Sequence, residues 1–543
     1  MKHGAGVLIL GLGFLLCAPL HAEEWLDFSS PVQGGGGAGV LARGPMGAYY
    51  NPANASRRPW ESSDIFRLEF DIPLAFSAAI HGETIRFIFD AVDQANELFD
   101  RFDAGAFDTT NSAISFDDFQ FALKVFDALD RLSSLNGEGL YAGTAVGLGV
   151  RFTGMLMPRD AFGISVGGFG IGAVTSIVEM ESLRGYRLTD ESGAQFEALV
   201  AAAIANSGQA QSPQTPEGQA FSQRLQNGGY SAVTADALAR QAELAGLNFN
   251  GTAASILEDF LINTFTGNGT SLESGANPLE GNGSGVLIRG LSWYELAFSY
   301  SFGVPLLGSG DWLALGATLK LIQAYTYSEL LRVQDMDSNG VSDALQRLGE
   351  KAADAYMLKG DAARFNVGVD LGLIFTPQIP LLDTLAISFV ARNVNGPEFR
   401  WDGSYATEPK LVRFDPQFRL GASYTLFHAV NMPLAFAFEA DLNRVSSDVL
   451  PKYSTQFLRM AATFEPSFGI FGFGVRLGGL KNIGDADQAW TLTAGLGFRA
   501  GPFRLDLGGM MAFKEVNFGS SVEFEPLPQR FGASAQIGLH FEF

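Results

Sequence analysis

Apolar and polar side chains alternate without a break over the last fourteen residues, 530–543. Phe531, Ala533, Ala535, Ile537, Leu539, Phe541 and Phe543 hold the apolar positions, and Gly532, Ser534, Gln536, Gly538, His540 and Glu542 stand between them. A β-strand turns successive side chains to opposite faces, so this period predicts a strand with one greasy face and one small or polar face. Similar stretches recur over 65–76, 140–153, 161–178, 293–303, 312–327, 365–375, 384–394, 411–426, 434–445, 457–464, 468–479, 490–500 and 503–513. With the terminal strand they make about fourteen, an even number, as in single-chain bacterial membrane barrels.

The direction of the faces follows from magnitude. Over 503–513, Phe503, Leu505, Leu507, Met511 and Phe513 alternate with Arg504, Asp506 and Gly508. Turning the second set to hydrocarbon would cost roughly 2–4 kcal/mol for Arg504 alone. The charged face therefore points inward. The same parity turns Arg67, Glu69, Asp71, Arg419, Glu439 and Asp441 into a lumen of both charge signs. Connections agree: 79–139, 179–292, 328–364, 395–410 and 514–529 are long, whereas 155–160, 304–311, 377–383 and 501–502 are short. Such alternation is expected of an up-and-down barrel with long loops outside, short turns in the periplasm and both termini periplasmic.

The long connections carry a second pattern. Ile85, Ile88, Phe89, Val92, Phe99 and Phe102 fall at helical spacing, as do Phe119, Ala122, Phe126 and Leu129. Helical inserts are thus expected over about 83–137, 181–290 and 340–358, the second Ala-rich around 196–205 and 234–247 and continuing through Ile256, Phe260 and Leu261. Amphipathic stripes of this kind ordinarily pack on one another and on the rim.

Composition narrows the class. Hydrophobic residues make up 47% and charged residues 17%, with 65 Gly and 46 Phe. After the N-terminus no apolar run reaches the roughly eighteen residues of a membrane helix, so the apolar content belongs to strands. A net charge of −22 argues against nucleic acid as a partner. Residues 1–22 read as a secretory signal, with Lys2 and His3 before an apolar stretch from Val7 to Cys17 and a cut after Ala22. Cys17 lies inside this segment, which leaves no thiol chemistry to the mature chain. His81, His428 and His540 have no ligand-like spacing.

Candidate chemistry is sparse. Gly34, Gly36 and Gly39 match a dinucleotide spacing without the flanking strand and helix it needs. Gly163, Ser165 and Gly167 match a nucleophile elbow inside a predicted spanning strand, where the elbow cannot form. Glu439 and Asp441 share a face as lumenal partners for Arg419 or Arg459 rather than as an acid–base pair. No enzyme is expected. Asp335, Asp337, Asn339, Gly340 and Asp343 place oxygen ligands around a turn as Ca²⁺ prefers, but Gln346 stands where a closing Glu belongs. Calcium loop and solvated acidic turn both remain open.

Residues 23–62 lack strand alternation and read as a compact N-terminal segment. Phe28-Ser29-Ser30, then Gly36-Gly37-Ala38-Gly39-Val40, then Tyr50-Asn51-Pro52-Ala53 resemble the start of the FadL family of outer-membrane transporters and the related TraF-like proteins. That resemblance implies a barrel of fourteen strands spanning residues 63–543, whose N-terminal segment folds inside as a hatch with Asn51, Pro52 and Ala53 as its motif. It implies the bacterial outer membrane, contact with its lipid, and assembly by the barrel-assembly machinery through a C-terminal signal that includes Phe541 and Phe543. Two functions follow as expectations. One is passage of small hydrophobic ligands. The other is an envelope or conjugation-associated scaffold whose outer inserts bind a partner.

Overall fold

The computed structural model describes residues 29–56, 66–82, 133, 135–156, 159–179, 184, 186–188, 212–272, 283–306, 312–332, 364–377, 382–401, 411–427, 431–450, 452–516 and 526–543. Fourteen strands form the wall: β1 (Arg67–His81), β2 (Gly139–Thr153), β3 (Asp160–Ile177), β4 (Gly285–Pro305), β5 (Trp312–Arg332), β6 (Arg364–Thr376), β7 (Ala386–Arg392), β8 (Gln417–Leu426), β9 (Leu434–Asp441), β10 (Phe457–Phe464), β11 (Phe471–Asn482), β12 (Thr491–Ala500), β13 (Phe503–Ala512) and β14 (Arg530–Glu542). Each pairs antiparallel with its neighbours in sequence. The ring closes where β1 meets β14, in register from Arg67↔Glu542 to Ala79↔Arg530. Closure leaves no open edge, which hydrocarbon demands because an unpaired backbone group there costs several kcal/mol.

The faces separate as the parity argument requires. On β9, Phe438 is 53% exposed on the outer surface, while its neighbour Glu439 is 2% exposed and faces the lumen. Ile72, Leu74, Leu507, Ile537 and Leu539 share the outer band, and Glu69, Asp71, Arg419 and Asp506 the buried interior. Phe438→Arg is expected to destabilise the barrel by about 2–4 kcal/mol in lipid vesicles, because it puts a guanidinium in hydrocarbon. Equilibrium unfolding followed by tryptophan fluorescence checks this, and an unchanged midpoint would remove Phe438 from the lipid face.

Strand lengths are uneven. β4 and β5 run for 21 residues each, whereas β7 has 7 and β9 and β10 have 8. A tilted strand needs about 9–11 residues to cross the hydrocarbon, so the long hairpin rises well beyond it on the side of the long loops. Its start at Gly285 lies before the expected strand start at 293, because Leu287, Ile288 and Arg289 are buried in succession, on both faces of the strand, and so hide the alternation. The expected strand over 411–426 is broken. Leu411–Arg413 pairs with Glu398–Arg400 as a separate hairpin, and β8 begins at Gln417 after Pro416, which has no N–H to give a ladder.

Among the described residues, three helices of the second insert, α1 (Pro216–Asn227), α2 (Ala232–Leu244) and α3 (Thr252–Thr266), pack around Phe221, Leu225, Leu238, Ala242, Ile256 and Leu257. Thr215 Oγ1 accepts from the Gly218 N–H at 3.0 Å and so caps α1. With only Phe221 and Leu225 as large apolar residues, α1 shows no stripe in sequence. No described helix is long and apolar enough to cross a membrane. The expected signal segment 1–22, the helical patterns over 85–129 and 196–205, His428 and the expected calcium loop of Asp335, Asp337, Asn339 and Asp343 lie outside the described residues.

Candidate functional site

Residues 29–56 fill the lumen. Their run of glycines has a steric cause, because the segment lies backbone to backbone against the wall. A Cβ added to Gly478 of β11 would sit 2.5 Å from the Gly36 nitrogen. One added to Gly36, which has φ +71°, would enter the Met460 carbonyl of β10. Across the lumen, Gly316 of β5 and Gly372 of β6 face each other in register. They clear space for Asn51, Pro52 and Ala53: a Cβ on Gly316 would meet the Pro52 carbonyl carbon, and one on Gly372 the Asn51 Oδ1.

The plug is also hydrogen-bonded to six strands spread around the ring. Ser29 Oγ donates to Gln536 Oε1 of β14 at 2.8 Å, and the Gly36 N–H to Thr493 Oγ1 of β12 at 2.8 Å. Glu439 of β9 accepts the Gly39 N–H at 2.8 Å and the Val40 N–H at 2.5 Å. Asn51 accepts the Ala53 N–H at 2.9 Å through Oδ1, and through Nδ2 donates to the Phe389 carbonyl of β7 at 3.2 Å and the Leu373 carbonyl of β6 at 3.4 Å. Arg151 Nη1 of β2 donates to the Ala55 carbonyl at 3.2 Å. Sequence reasoning located the Asn-Pro-Ala motif but not its seats in the wall, since a lumen-facing Gly reads only as a small residue.

An ionic belt surrounds the plug. Arg419 Nε and Arg459 Nη1 both lie 2.8 Å from Asp441 Oδ1, and Arg419 Nη1 lies 3.6 Å from Glu439. Arg476 joins Asp506 at 2.8 Å to Glu465 at 2.6 Å, and Arg504 holds Asp506 at 2.6 Å. Arg151 Nε donates to Glu69 at 2.5 Å, His540 lies 3.1 Å from Asp71, and Arg67 pairs with Glu542 at 2.9 Å beside the seam. Lys320 bridges Asp370 at 2.7 Å. The belt thus brings together Arg67, Glu69, Asp71, Arg419, Glu439, Asp441, Arg504 and Asp506 in local pairs rather than in one centre. At the short-turn end of the seam the Phe543 ring centroid is 6.0 Å from Phe66 and 6.4 Å from Phe541. Ser165 stays within β3, opposite Gly149 and Ala297, and forms no elbow.

At the β10–β11 turn, burial alone would raise the Glu465 carboxyl, but Arg476 first, then Arg504 and Arg43, bring it from 4.5 down to about 2. A depressed carboxyl contributes stability above its ordinary pKa and loses it as pH falls through the folded value. Wild type is therefore expected to lose stability relative to Glu465→Gln between about pH 4.5 and pH 2. Thermal unfolding of both proteins across that range is the check, and parallel curves would contradict it. A cavity of about 130 Å³ opens beside this cluster, lined by Arg476, Arg499, Arg504, Asp506 and His540 among others.

Above the plug the lumen turns apolar. Tyr49, next to the motif, lies 5.8 Å from Phe169 of β3, which stacks on Trp293 of β4 at 4.9 Å. Trp293 meets Phe414 at 5.1 Å, and Phe414 meets Phe399 at 5.3 Å. This aromatic series runs from the plug along the wall to the hairpin of Glu398–Arg400 and Leu411–Arg413. Val412, Val449, Leu450 and Tyr453, all 0% exposed, complete the layer from two inward-folded loops. None of these loop residues was singled out by the sequence, because alternation identifies a face and says nothing about which loop covers it.

Residues 48–441 match a family model described as "F plasmid transfer operon, TraF, protein". No curated protein matches the chain. Among solved structures, a Pseudomonas aeruginosa FadL homologue is 10% identical, with 96% of this chain and 99% of that one covered and a TM-score of 0.39. The Ralstonia pickettii toluene transporter TbuX is 9% identical over 95% and 97%, at 0.37. A TodX monoaromatic hydrocarbon channel mutant lacking S2 and S3 is 10% identical over 95% and 98%, at 0.39.

Proposed function

Because this chain belongs to the TraF family of the F plasmid transfer operon, a family related to FadL-like outer-membrane barrels, we propose that it is a plugged outer-membrane channel for small hydrophobic molecules. The observation that carries this reading is the apolar, aromatic layer between plug and outer mouth. A barrel for hydrophilic solutes keeps a polar, water-filled interior. An apolar solute instead gains about 25 cal/mol for each Å² it removes from water, and a greasy layer supplies that environment inside the barrel. Solutes enter from the outer loops and leave past the N-terminal plug, which acts as the hatch. No catalytic step belongs to this reading. Uptake of a panel of small hydrophobic compounds is expected to slow in a strain lacking the protein and to recover on complementation. Unchanged uptake across the panel would sink it.

A second reading is favoured by the six-strand anchoring of the plug and by the self-contained core of α1–α3. Here the barrel is a sealed scaffold, and the helical insert binds an envelope partner. Photo-crosslinking from residues 212–272 in cells, with one partner recovered reproducibly and uptake unaffected, would select this reading.

A further inference from the structure

The loop between β9 and β10 is buried like a core, although loops ordinarily run over the surface, where water satisfies their backbone. Here the loop's own turns, the β1–β2 connection and one wall side chain satisfy it. The Ser447 N–H donates to the Tyr453 carbonyl at 2.8 Å, the Tyr453 N–H to the Leu450 carbonyl at 2.8 Å, and the Lys452 N–H to the Gly137 carbonyl at 3.1 Å. Arg289 Nη1 of β4 donates to the Asp448 carbonyl at 2.9 Å. The loop leaves the wall at β9 and β10 and reaches β14, β1 and β2, on the far side of the ring.

There Tyr453 enters a notch formed by three adjacent strands. Arg530 of β14, Ala79 of β1 and Tyr141 of β2 share one register row, so a methyl side chain stands between two large ones. The Tyr453 ring lies 5.1 Å from Tyr141 and edge-on to His81 at 5.8 Å. Arg530 Nη1 donates to the phenol oxygen at 3.0 Å. Barrel residues hold the walls in turn: the Arg530 guanidinium sits 4.9 Å over Phe457, and His81 Nδ1 is 2.6 Å from Asp485.

We propose that this notch is a binding site for a small phenol-type molecule, an aromatic ring bearing a hydroxyl, and that Tyr453 occupies it as a tethered competitor while the outer mouth is closed. The ligand class follows from the contacts: one ring tilted against the occupant and one edge-on to it, and one cationic donor placed for one oxygen. Ligand in the notch displaces Tyr453 and, with it, Val449 and Leu450 from the apolar layer. As a first station for entering solutes the site rests on the passage reading; as a binding site it stands apart from it.

The test is titration of the full-length wild type in detergent with p-cresol, the side-chain analogue of tyrosine, and with toluene, the same ring without the hydroxyl. Saturable p-cresol binding is expected, at least about tenfold tighter than toluene, since the hydrogen bond to a charged donor is lost with the hydroxyl. Trypsin cleavage after Lys452 should accelerate as p-cresol saturates. Arg530→Gln should erase the preference, and Tyr453→Ala should bind p-cresol more tightly because the competitor is gone. If Tyr453→Ala binds and wild type does not, Tyr453 is a fixed strut and the proposal falls; should the variant fail to fold, the wild-type titration alone decides. Equal affinity for both ligands overturns the phenol assignment. Binding with unchanged cellular uptake removes the passage reading alone, and uptake without binding removes this site alone.

Discussion

Gly478→Val should unseat the N-terminal plug while leaving the barrel closed as a ring. The added Cβ falls 2.5 Å from the Gly36 nitrogen and 2.7 Å from its Cα, and both obstacles are backbone, which no rotamer change can move aside. Gly36 is seated on that same patch of wall, beside the Met460 carbonyl and the Gly479 backbone, so room for the new side chain comes only from lifting the plug away from β10 and β11. Strand β11 keeps its pairing with β10 and β12 through backbone groups that the substitution does not touch. Overpacking a tight contact costs about 1–3 kcal/mol, equivalent to roughly a fivefold to hundredfold rise in the displaced population. A cysteine replacing Val40, which is 0% exposed, is therefore expected to react with a water-soluble maleimide at least about fivefold faster in the Gly478→Val background. Equal reaction rates, with heat-modifiable migration retained in both proteins, would show that the plug does not depend on this contact.

Glu439→Ala should cost far more stability than Glu542→Ala. The Glu439 carboxylate, 2% exposed, accepts two plug N–H groups and lies 3.6 Å from Arg419. Truncation leaves both donors without an acceptor at about 1–3 kcal/mol each. Arg419 keeps Asp441 at 2.8 Å, so no cation is stranded. A loss of about 2–6 kcal/mol follows from the two donors. Glu542→Ala is the contrast: its pair with Arg67 is 48% exposed on the carboxylate side, and such pairs contribute about 1 kcal/mol or less. Guanidinium unfolding in detergent separates the two. Similar midpoints for both variants would mean that the lumen is wet enough to replace the lost acceptor.

The barrel was legible in the chain because strands that face hydrocarbon on one side and charge on the other must alternate, and a misplaced Arg504 costs too much to be ambiguous. The β1–β14 seam, the fourteen strands and the pairing of Arg419 and Arg459 with Asp441 all follow from that parity. The interior was less legible. Gly316, Gly372 and Gly478 serve as seats for the plug, yet as isolated lumenal glycines they carry no sign of what approaches them. Phe414 and Val412 continue an alternating pattern toward β8, but Asp415 and Pro416 interrupt the ladder and the side chains fold inward. Tyr453 and Val449 sit in a loop whose local sequence is ordinary; their burial is decided by β1, β2 and β14 across the ring.

Flux of a small hydrophobic compound into sealed vesicles decides whether the plug is a hatch, when the plug is locked by a short crosslink between cysteines replacing Ser29 and Gln536. Flux is expected with the unlocked protein, is lost on crosslinking, and returns when the crosslink is reversed. Flux that persists with the plug locked would place the path elsewhere, and no flux in either state would leave a sealed scaffold in place of a channel.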